Sequence, residues 1–106
     1  LPEIVELSPA SATAAGGASI AVRGRGIQSG DPVRIAGEVA VLRDCRGEKV
    51  VTCRLDLPAH ALPAGASQED VTLRVASARN GAVSEPMSFT YQAPRRGSSR
   101  RSRPGS

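Results

Sequence analysis

Short runs of alternating apolar and polar residues recur through the first 93 residues of this chain, separated by turns that contain Gly or Pro. The clearest runs are residues 19–23, 49–57 and 70–76. Because successive side chains of a strand point to opposite faces, each run predicts a strand with one buried face. About seven such segments occur at intervals of roughly 8–12 residues, which is typical of a β-sandwich. No segment has a sustained helical period, so the sequence predicts an all-β fold.

The same alternation predicts which side chains form the core. Apolar residues that share a face, and are expected to point inward, are Ile20, Val22, Val33, Ile35, Val39, Val41, Val51, Cys53, Leu55, Val71, Leu73 and Val75. Aromatic residues make up only 2% of the chain. Phe89 and Tyr91, in the last run at 83–92, are therefore expected to be the only large members of a core of Val, Leu, Ile and Ala.

Gly and Pro residues mark the expected turns. Asn80-Gly81 predicts the hairpin between the last two runs, because both residues tolerate positive φ. Residues 10–15 are small and are expected to form a loop. Residues 44–48 are rich in polar and charged side chains and are expected to form a turn.

The charge of the chain divides it into two parts. The net charge is +4, but residues 94–106 hold five arginines and no acidic residue. These arginines are Arg95, Arg96, Arg100, Arg101 and Arg103. The other 9 of the 14 basic residues and all 10 acidic residues come earlier, so residues 1–93 carry about −1. We expect one domain at 1–93 and a disordered tail or linker at 94–106, which has no apolar side chain to bury.

Three roles suit the arginine-rich tail. It could contact a nucleic acid or an anionic membrane, serve as a phosphorylatable switch, or act as a linker or terminus. Arginine favours partners rich in phosphate, but five charges without aromatic side chains bind weakly and without selectivity. The linker is the preferred interpretation, and the nearly neutral domain argues against nucleic acid as the partner.

Two cysteines and one histidine are the side chains best suited to chemistry. Cys45 and Cys53 flank a hairpin-like segment; on neighbouring strands they would form a disulfide, which implies an oxidising compartment. The alternative is two separate thiols, with Cys53 as a small core residue. His60 has no candidate nucleophile or orienting group beside it in the sequence, so it is interpreted as a structural or surface residue. Asp31, Glu69 and Asp70 are interpreted as solvated charges of turns and strand edges rather than as a catalytic pair. Neither a catalytic residue, a cofactor nor a metal site is predicted, since the two cysteines and the histidine supply too few ligands.

Several motifs follow one another in a fixed order along the chain. They are Ser8-Pro9 after the first strand, Gly16-Gly17 before the second, Gly24 after it, Val33-x-Ile35-x-Gly37, and a terminal Phe89-x-Tyr91. Their order resembles the IPT/TIG domain, an immunoglobulin-like module of plexins and related receptors, Rel-like transcription factors and bacterial surface proteins. The resemblance covers about residues 2–92 and implies an immunoglobulin-like β-sandwich. Cys53 with Pro58 is similar to a cysteine motif of the receptor-type members.

The resemblance also implies a function. It suggests a non-catalytic binding or spacer module of a larger receptor-like or cell-surface protein, which engages a protein partner or neighbouring domains. The candidate contact regions are the loop 25–31 and the connection 57–70. One alternative is an intracellular Rel-like module that dimerises or contacts DNA, and another is a bacterial surface or carbohydrate-associated sandwich.

The protein is expected to be extracellular or on the cell surface, and an intracellular location is the alternative. No run of about 18 apolar residues predicts a membrane span. The first residue is Leu1 rather than Met, which suggests a fragment of a longer protein.

Overall fold

Nine strands form the framework of the computed structural model, which describes residues 1–94. The strands are β1 (Glu3–Ser8), β2 (Ser11–Thr13), β3 (Ser19–Arg25), β4 (Pro32–Ile35), β5 (Glu38–Val41), β6 (Arg43–Gly47), β7 (Val51–Asp56), β8 (Gln68–Val75) and β9 (Met87–Gln92). A four-stranded sheet has the order β1-β3-β7-β6, and a five-stranded sheet has the order β2-β9-β8-β4-β5. All neighbouring strands are antiparallel except β2 and β9, which are parallel.

The two sheets enclose a single apolar core, so the predicted β-sandwich is confirmed. Most of the expected inward residues are buried, and Val51 and Val71 are half-buried at its margin. The expectation was wrong for Val39 and Val41, which are exposed on the edge strand β5. Phe89 and Tyr91 are its largest members, and their rings meet edge to face with centroids 5.4 Å apart. Each fully buried aliphatic side chain contributes about 1.5–3 kcal/mol relative to exposure, which makes this layer the main source of stability. Among residues 1–94, no helix is long and apolar enough to cross a membrane.

The chain crosses between the sheets at Leu42, which separates β5 in one sheet from β6 in the other. Leu42 is fully buried, and both of its backbone polar groups are bound by the preceding loop. Its N–H donates to the carbonyl of Asp31 at 3.0 Å, and its carbonyl accepts from the N–H of Gly30 at 2.9 Å. The loop 25–31 therefore fixes the point where the strand changes sheets.

Two segments expected to be irregular contain strands, so those predictions were wrong. The segment 10–15 includes β2, which is stabilised by parallel pairing with β9 rather than by its own small residues. The segment 44–48 lies largely within β6, a polar edge strand that pairs with β7. Both strands are short and lie at sheet edges, where one free side makes polar or small residues acceptable. With β2 and β6 added, residues 1–94 contain nine strands rather than the expected seven.

The hairpin after β8 differs from its predicted form. Four residues, 78–81, separate Ser77 from Ala82, and the N–H of Ser77 donates to the carbonyl of Ala82 at 2.7 Å. Among these four residues, only Gly81 has a positive φ, at 76°. The last strand begins at Met87 rather than at Val83, which makes only an isolated bridge to Ala76. Proline lacks a backbone donor, and Pro86 stands directly before the strand.

Residues 95–106 lie outside the described range. These residues include Arg95, Arg96, Arg100, Arg101 and Arg103, and all of the predicted disordered tail except Pro94. The boundary between a domain at 1–93 and a tail at 94–106 stays a prediction.

Candidate functional site

The two cysteines lie on neighbouring strands at one edge of the four-stranded sheet. The structure links Cys45 of β6 to Cys53 of β7 by a disulfide, with their Cα atoms 4.0 Å apart. Cys53 is buried in the core, and Cys45 is half-buried against it. The disulfide therefore joins β6 to β7 on the side of the sheet that faces the core.

A β-bulge brings Cys45 into position. Arg43 pairs with Arg54 and Arg46 pairs with Thr52, so two residues of β6 face one residue of β7. The extra residue is Asp44, whose φ of 53° lies in the left-handed region that Asp tolerates better than most residues. Nothing in the alternation pattern of the sequence marks this irregularity.

The loop 25–31 is held from inside by a buried carboxylate. Asp31 is 1% exposed, and its Oδ2 accepts a hydrogen bond from the N–H of Gln28 at 3.0 Å. Its Oδ1 accepts from the N–H of Ala78, also at 3.0 Å, in the hairpin after β8. The hydroxyl of Ser29 accepts from the N–H of Cys45 at 3.1 Å. This candidate contact region is thus joined to the bulge and to the hairpin.

The connection 57–70 is fixed by a cluster around Tyr91. The Tyr91 hydroxyl donates to the carbonyl of Pro58 at 3.0 Å, and the ring of His60 stacks on Tyr91 with centroids 4.9 Å apart. His60 Nε2 lies 2.6 Å from Glu69 Oε1. Burial, with a smaller contribution from the carboxylate of Glu38, raises the pKa of Tyr91 above its ordinary value. The first part of the connection is therefore held against the last strand by one hydrogen bond and one pair of stacked rings.

The chemistry available to His60 follows from these contacts. A general base needs a substrate or nucleophile within hydrogen-bond reach. The ring instead contacts Glu69 and Tyr91, and the Tyr91 hydroxyl is already bonded to Pro58. Its interpretation as a structural residue stays a prediction. Among residues 1–94, no three His, Cys, Asp or Glu side chains converge as a metal site would require.

The two candidate contact regions lie at opposite ends of the sandwich. The strand β3 leads from one to the other: Ala18, just before it, accepts the N–H of Leu57 at 2.8 Å, and Arg25 at its end opens the loop 25–31. The structure therefore does not join them into one site.

The outer face of the four-stranded sheet carries opposite charges in pairs. The pairs are Arg23 with Glu6 at 2.9 Å, Arg25 with Glu3 at 3.4 Å, Arg43 with Asp56 at 2.7 Å and Arg54 with Asp56 at 3.0 Å. The hydroxyl of Ser19 also donates to Asp56 at 2.6 Å. That hydrogen bond, followed by the one from Arg54, holds the pKa of the Asp56 carboxyl below its ordinary value.

The outer face of the five-stranded sheet has a different arrangement, which the sequence analysis missed. Arg34 of β4 lies directly opposite Arg74 of β8, and Val39 of β5 lies on the other side of Arg34. All three side chains are exposed. Alternation could have placed each of them on an outer face, but only the strand pairing shows that they are neighbours.

Comparison with known proteins places these features in a family. The family model of the IPT/TIG domain matches residues 2–91. The chain belongs to the IPT/TIG domain family. This IPT/TIG domain is also similar to a solved structure, the solution structure of the TIG domain from human nuclear factor of activated T-cells, cytoplasmic 4. The TM-score is 0.65 with 18% identity, over 88% of this chain and 89% of the other.

These comparisons confirm the resemblance stated from the motifs and the immunoglobulin-like fold. At 18% identity the structural likeness concerns the fold alone. IPT/TIG domains are immunoglobulin-like modules that mediate protein interactions and are generally non-catalytic. A search of the curated proteins with this sequence gave no match.

Proposed function

We propose that residues 1–93 form a non-catalytic protein-binding or spacer module of a larger receptor-like or cell-surface protein, followed by a linker at 94–106. The observation that carries this proposal is the path of the chain through the sandwich. The first strand starts beside the loop 25–31, where Glu3 pairs with Arg25. The last strand ends beside the connection 57–70, where Gln92 pairs with Gln68.

This path suits a module that is joined in series to its neighbours. A domain attached before β1 and a domain attached after β9 would lie at opposite ends of the sandwich. A six-residue strand spans about 20 Å, which sets the minimum separation between such neighbours. The buried core makes that separation rigid, while both outer sheet faces stay accessible to a partner.

The cysteine pair supports the extracellular or cell-surface location. Disulfides persist in oxidising compartments and are rare where glutathione and thioredoxin keep thiols reduced. Cys45 and Cys53 already face each other across β6 and β7. A chain folded in an oxidising compartment would therefore carry this bridge.

An intracellular module that dimerises or contacts DNA is the second candidate. It is favoured by the solved structure of similar fold, which comes from a protein named as a cytoplasmic nuclear factor. In that case the partner would be a second copy of the chain or a nucleic acid. Arg95–Arg103 would then supply phosphate contacts.

Two measurements on the full chain separate these candidates. Thiols are alkylated in the cells that make the protein, and non-reducing peptide mapping then reports whether Cys45 and Cys53 are bridged. Sedimentation equilibrium reports the oligomeric state. A bridged monomer supports the spacer or receptor-like module, whereas a dimer with alkylated Cys45 and Cys53 supports the intracellular module and overturns the first proposal.

A further inference from the structure

Within residues 1–94, four arginines of the four-stranded sheet bind carboxylates, whereas two arginines of the five-stranded sheet do not. On the four-stranded sheet, Arg23 and Arg25 each lie within 3.4 Å of a glutamate carboxylate. On the five-stranded sheet, Arg34 and Arg74 form no ion pair with any residue in the described part of the chain. Each of them has the other arginine as its cross-strand neighbour. Arg43 and Arg54 are also opposite each other, but both bind the carboxylate of Asp56.

Such a pair has an energetic cost in the isolated domain. Like charges directly opposite each other on antiparallel strands destabilise the sheet, typically by some tenths of a kcal/mol. Here the two strands lie inside the sheet, where β4 pairs on its other side with β5 and β8 pairs with β9. Two negative charges placed over the pair would remove the repulsion and form charge-assisted hydrogen bonds.

An apolar side chain completes the surface. Val39 is in register with Arg34, which is in register with Arg74, so the three lie in one row across three strands. Adjacent strands are about 4.8 Å apart, and the row therefore spans about 10 Å. Val39 is 56% exposed and the neighbouring Val41 on the same edge strand is 46% exposed. We call this surface the Val39–Arg34–Arg74 row.

The chemistry of the row selects a class of partner. Two cations beside exposed valines fit a protein surface, which can supply carboxylates and an apolar side chain together. A nucleic acid would engage the charges only, and binding to its backbone needs more phosphate contacts than two arginines provide. Residues 1–93 also carry about −1, which gives a polyanion no general attraction.

We propose that the Val39–Arg34–Arg74 row is a docking surface for a protein segment that presents two neighbouring carboxylates beside an apolar side chain. This inference rests on the proposed function in protein binding and names the face and the partner chemistry. The two carboxylates bind Arg34 and Arg74, and the apolar side chain packs on Val39.

The test uses the full chain, labelled with ¹⁵N, and follows the Nε–H signals of its arginines by NMR. The probe is a blocked peptide, Ser-Glu-Ser-Glu-Ser-Leu, which when extended places both carboxylates and the leucine on one face. The matched probe replaces both glutamates by glutamine. We expect the signals of Arg34 and Arg74 to shift saturably with the acidic peptide and not with the neutral one.

Two double variants carry the same loss of charge on opposite sheets. R34Q/R74Q should weaken binding of the acidic peptide roughly fivefold or more, since it removes both ion pairs. R23Q/R25Q should leave the affinity unchanged, although it breaks two existing ion pairs. Amide spectra check that both variants are folded, and R34Q/R74Q should melt at the same temperature as the parent chain or higher.

Three outcomes would overturn the docking surface. The first is that the acidic peptide does not shift the Nε–H signals of Arg34 and Arg74, and the second is that the two double variants lose affinity for it equally. The third is that a short DNA duplex shifts these signals at a lower concentration than the peptide does. Any of them leaves the proposed function standing if the chain is a bridged monomer. A dimer with free thiols would contradict the proposed function whatever the peptide does.

Discussion

At the scale of single residues, Asp31 shows how one buried carboxylate orders distant parts of the chain. Its side chain accepts backbone hydrogen bonds from Gln28 and Ala78, and its own carbonyl accepts one from Leu42. The sequence interpretation of Asp31 as a solvated charge is wrong, because its side chain is buried. Its burial could not be predicted, because the group that it binds at Ala78 is 47 residues away.

Asp31→Ala should lower the free energy of unfolding by about 2–4 kcal/mol, since it leaves two backbone donors without their acceptor. Urea denaturation of the parent chain and the variant measures the difference. Glu48→Ala removes the same charge from an exposed turn and should change stability by less than about 0.5 kcal/mol. Equal effects of the two substitutions would show that Asp31 does not join these segments.

The lowered pKa of Asp56 predicts that the stability of the domain depends on pH. Hydrogen bonds from Ser19 and Arg54 hold the pKa of its carboxyl below 3.8 in the folded chain. The ionised form is therefore favoured by folding, and its stabilising effect is present above pH 3.8 and is lost as the pH falls through the folded-state pKa.

Near neutral pH, Asp56→Asn should accordingly have a lower melting temperature than the parent chain. The difference in melting temperature should disappear in strong acid. Thermal melts from pH 7 to about pH 2 measure it. Asp44→Asn, at an exposed bulge position, is the control for replacing a carboxylate by an amide of the same shape. If the difference in melting temperature between Asp56→Asn and the parent chain grows in acid, the direction of the pKa change is wrong.

At the scale of strands, the pairing of β1 with β3 depends on a glycine. A Cβ at Gly24 would collide with the backbone carbonyl of Glu3 on the neighbouring strand. The sequence marked Gly24 as part of a family motif. The structure adds the physical reason, which is the close approach of β1.

Gly24→Ala should destabilise the domain by more than about 2 kcal/mol, because backbone atoms of β1 must move to relieve the collision. Gly17→Ala is the matched control: φ is 81° there, but no atom lies within 4 Å of the added methyl. The control should cost only about 1 kcal/mol, from backbone strain. Chemical denaturation of both variants tests the difference, and an equal cost would argue against a steric role for Gly24.

The bridge between β6 and β7 also belongs to this scale. Replacing both cysteines, as C45S/C53S, should lower the free energy of unfolding by about 2–3 kcal/mol, the loop-closure entropy of a ring this small. A reducing agent should lower the melting temperature of the parent chain and leave that of C45S/C53S unchanged. If the reducing agent shifts neither, Cys45 and Cys53 are not bridged in the purified protein.

The elements differ in how far the sequence predicted them. Strands such as β7 and β8 were found because one face must be buried, which forces strict alternation. The strand β2 was missed because its three residues are stabilised by pairing with β9, far along the chain. The same limit applies to the Val39–Arg34–Arg74 row, since register between β4 and β8 is a property of the assembled sheet.

For the whole molecule, the two outer faces and the two ends of the sandwich present separate surfaces. Among the residues that the structure describes, four arginines of the four-stranded sheet form ion pairs, whereas the Val39–Arg34–Arg74 row is exposed on the other face without one. The loop 25–31 and the connection 57–70 lie at opposite ends. A domain arranged in this way can hold its neighbours apart at its two ends and still bind a partner on one outer face.

The distribution of charge along the whole chain gives the final prediction. Five of the 14 basic residues lie in 94–106, and residues 1–93 carry about −1. Any weak, unselective attraction of the full chain to duplex DNA should therefore come from those five arginines. Replacing all five by serine in the full chain should abolish DNA binding at low salt.

Fluorescence anisotropy with a labelled duplex at several salt concentrations measures this effect. For the parent chain, the slope of log K against log salt should be no steeper than about −4.5, because at most five phosphates are neutralised. R34Q/R74Q should leave the DNA affinity nearly unchanged. A five-serine variant that still binds DNA would place the contact on the sandwich itself, and would favour the intracellular module over the spacer.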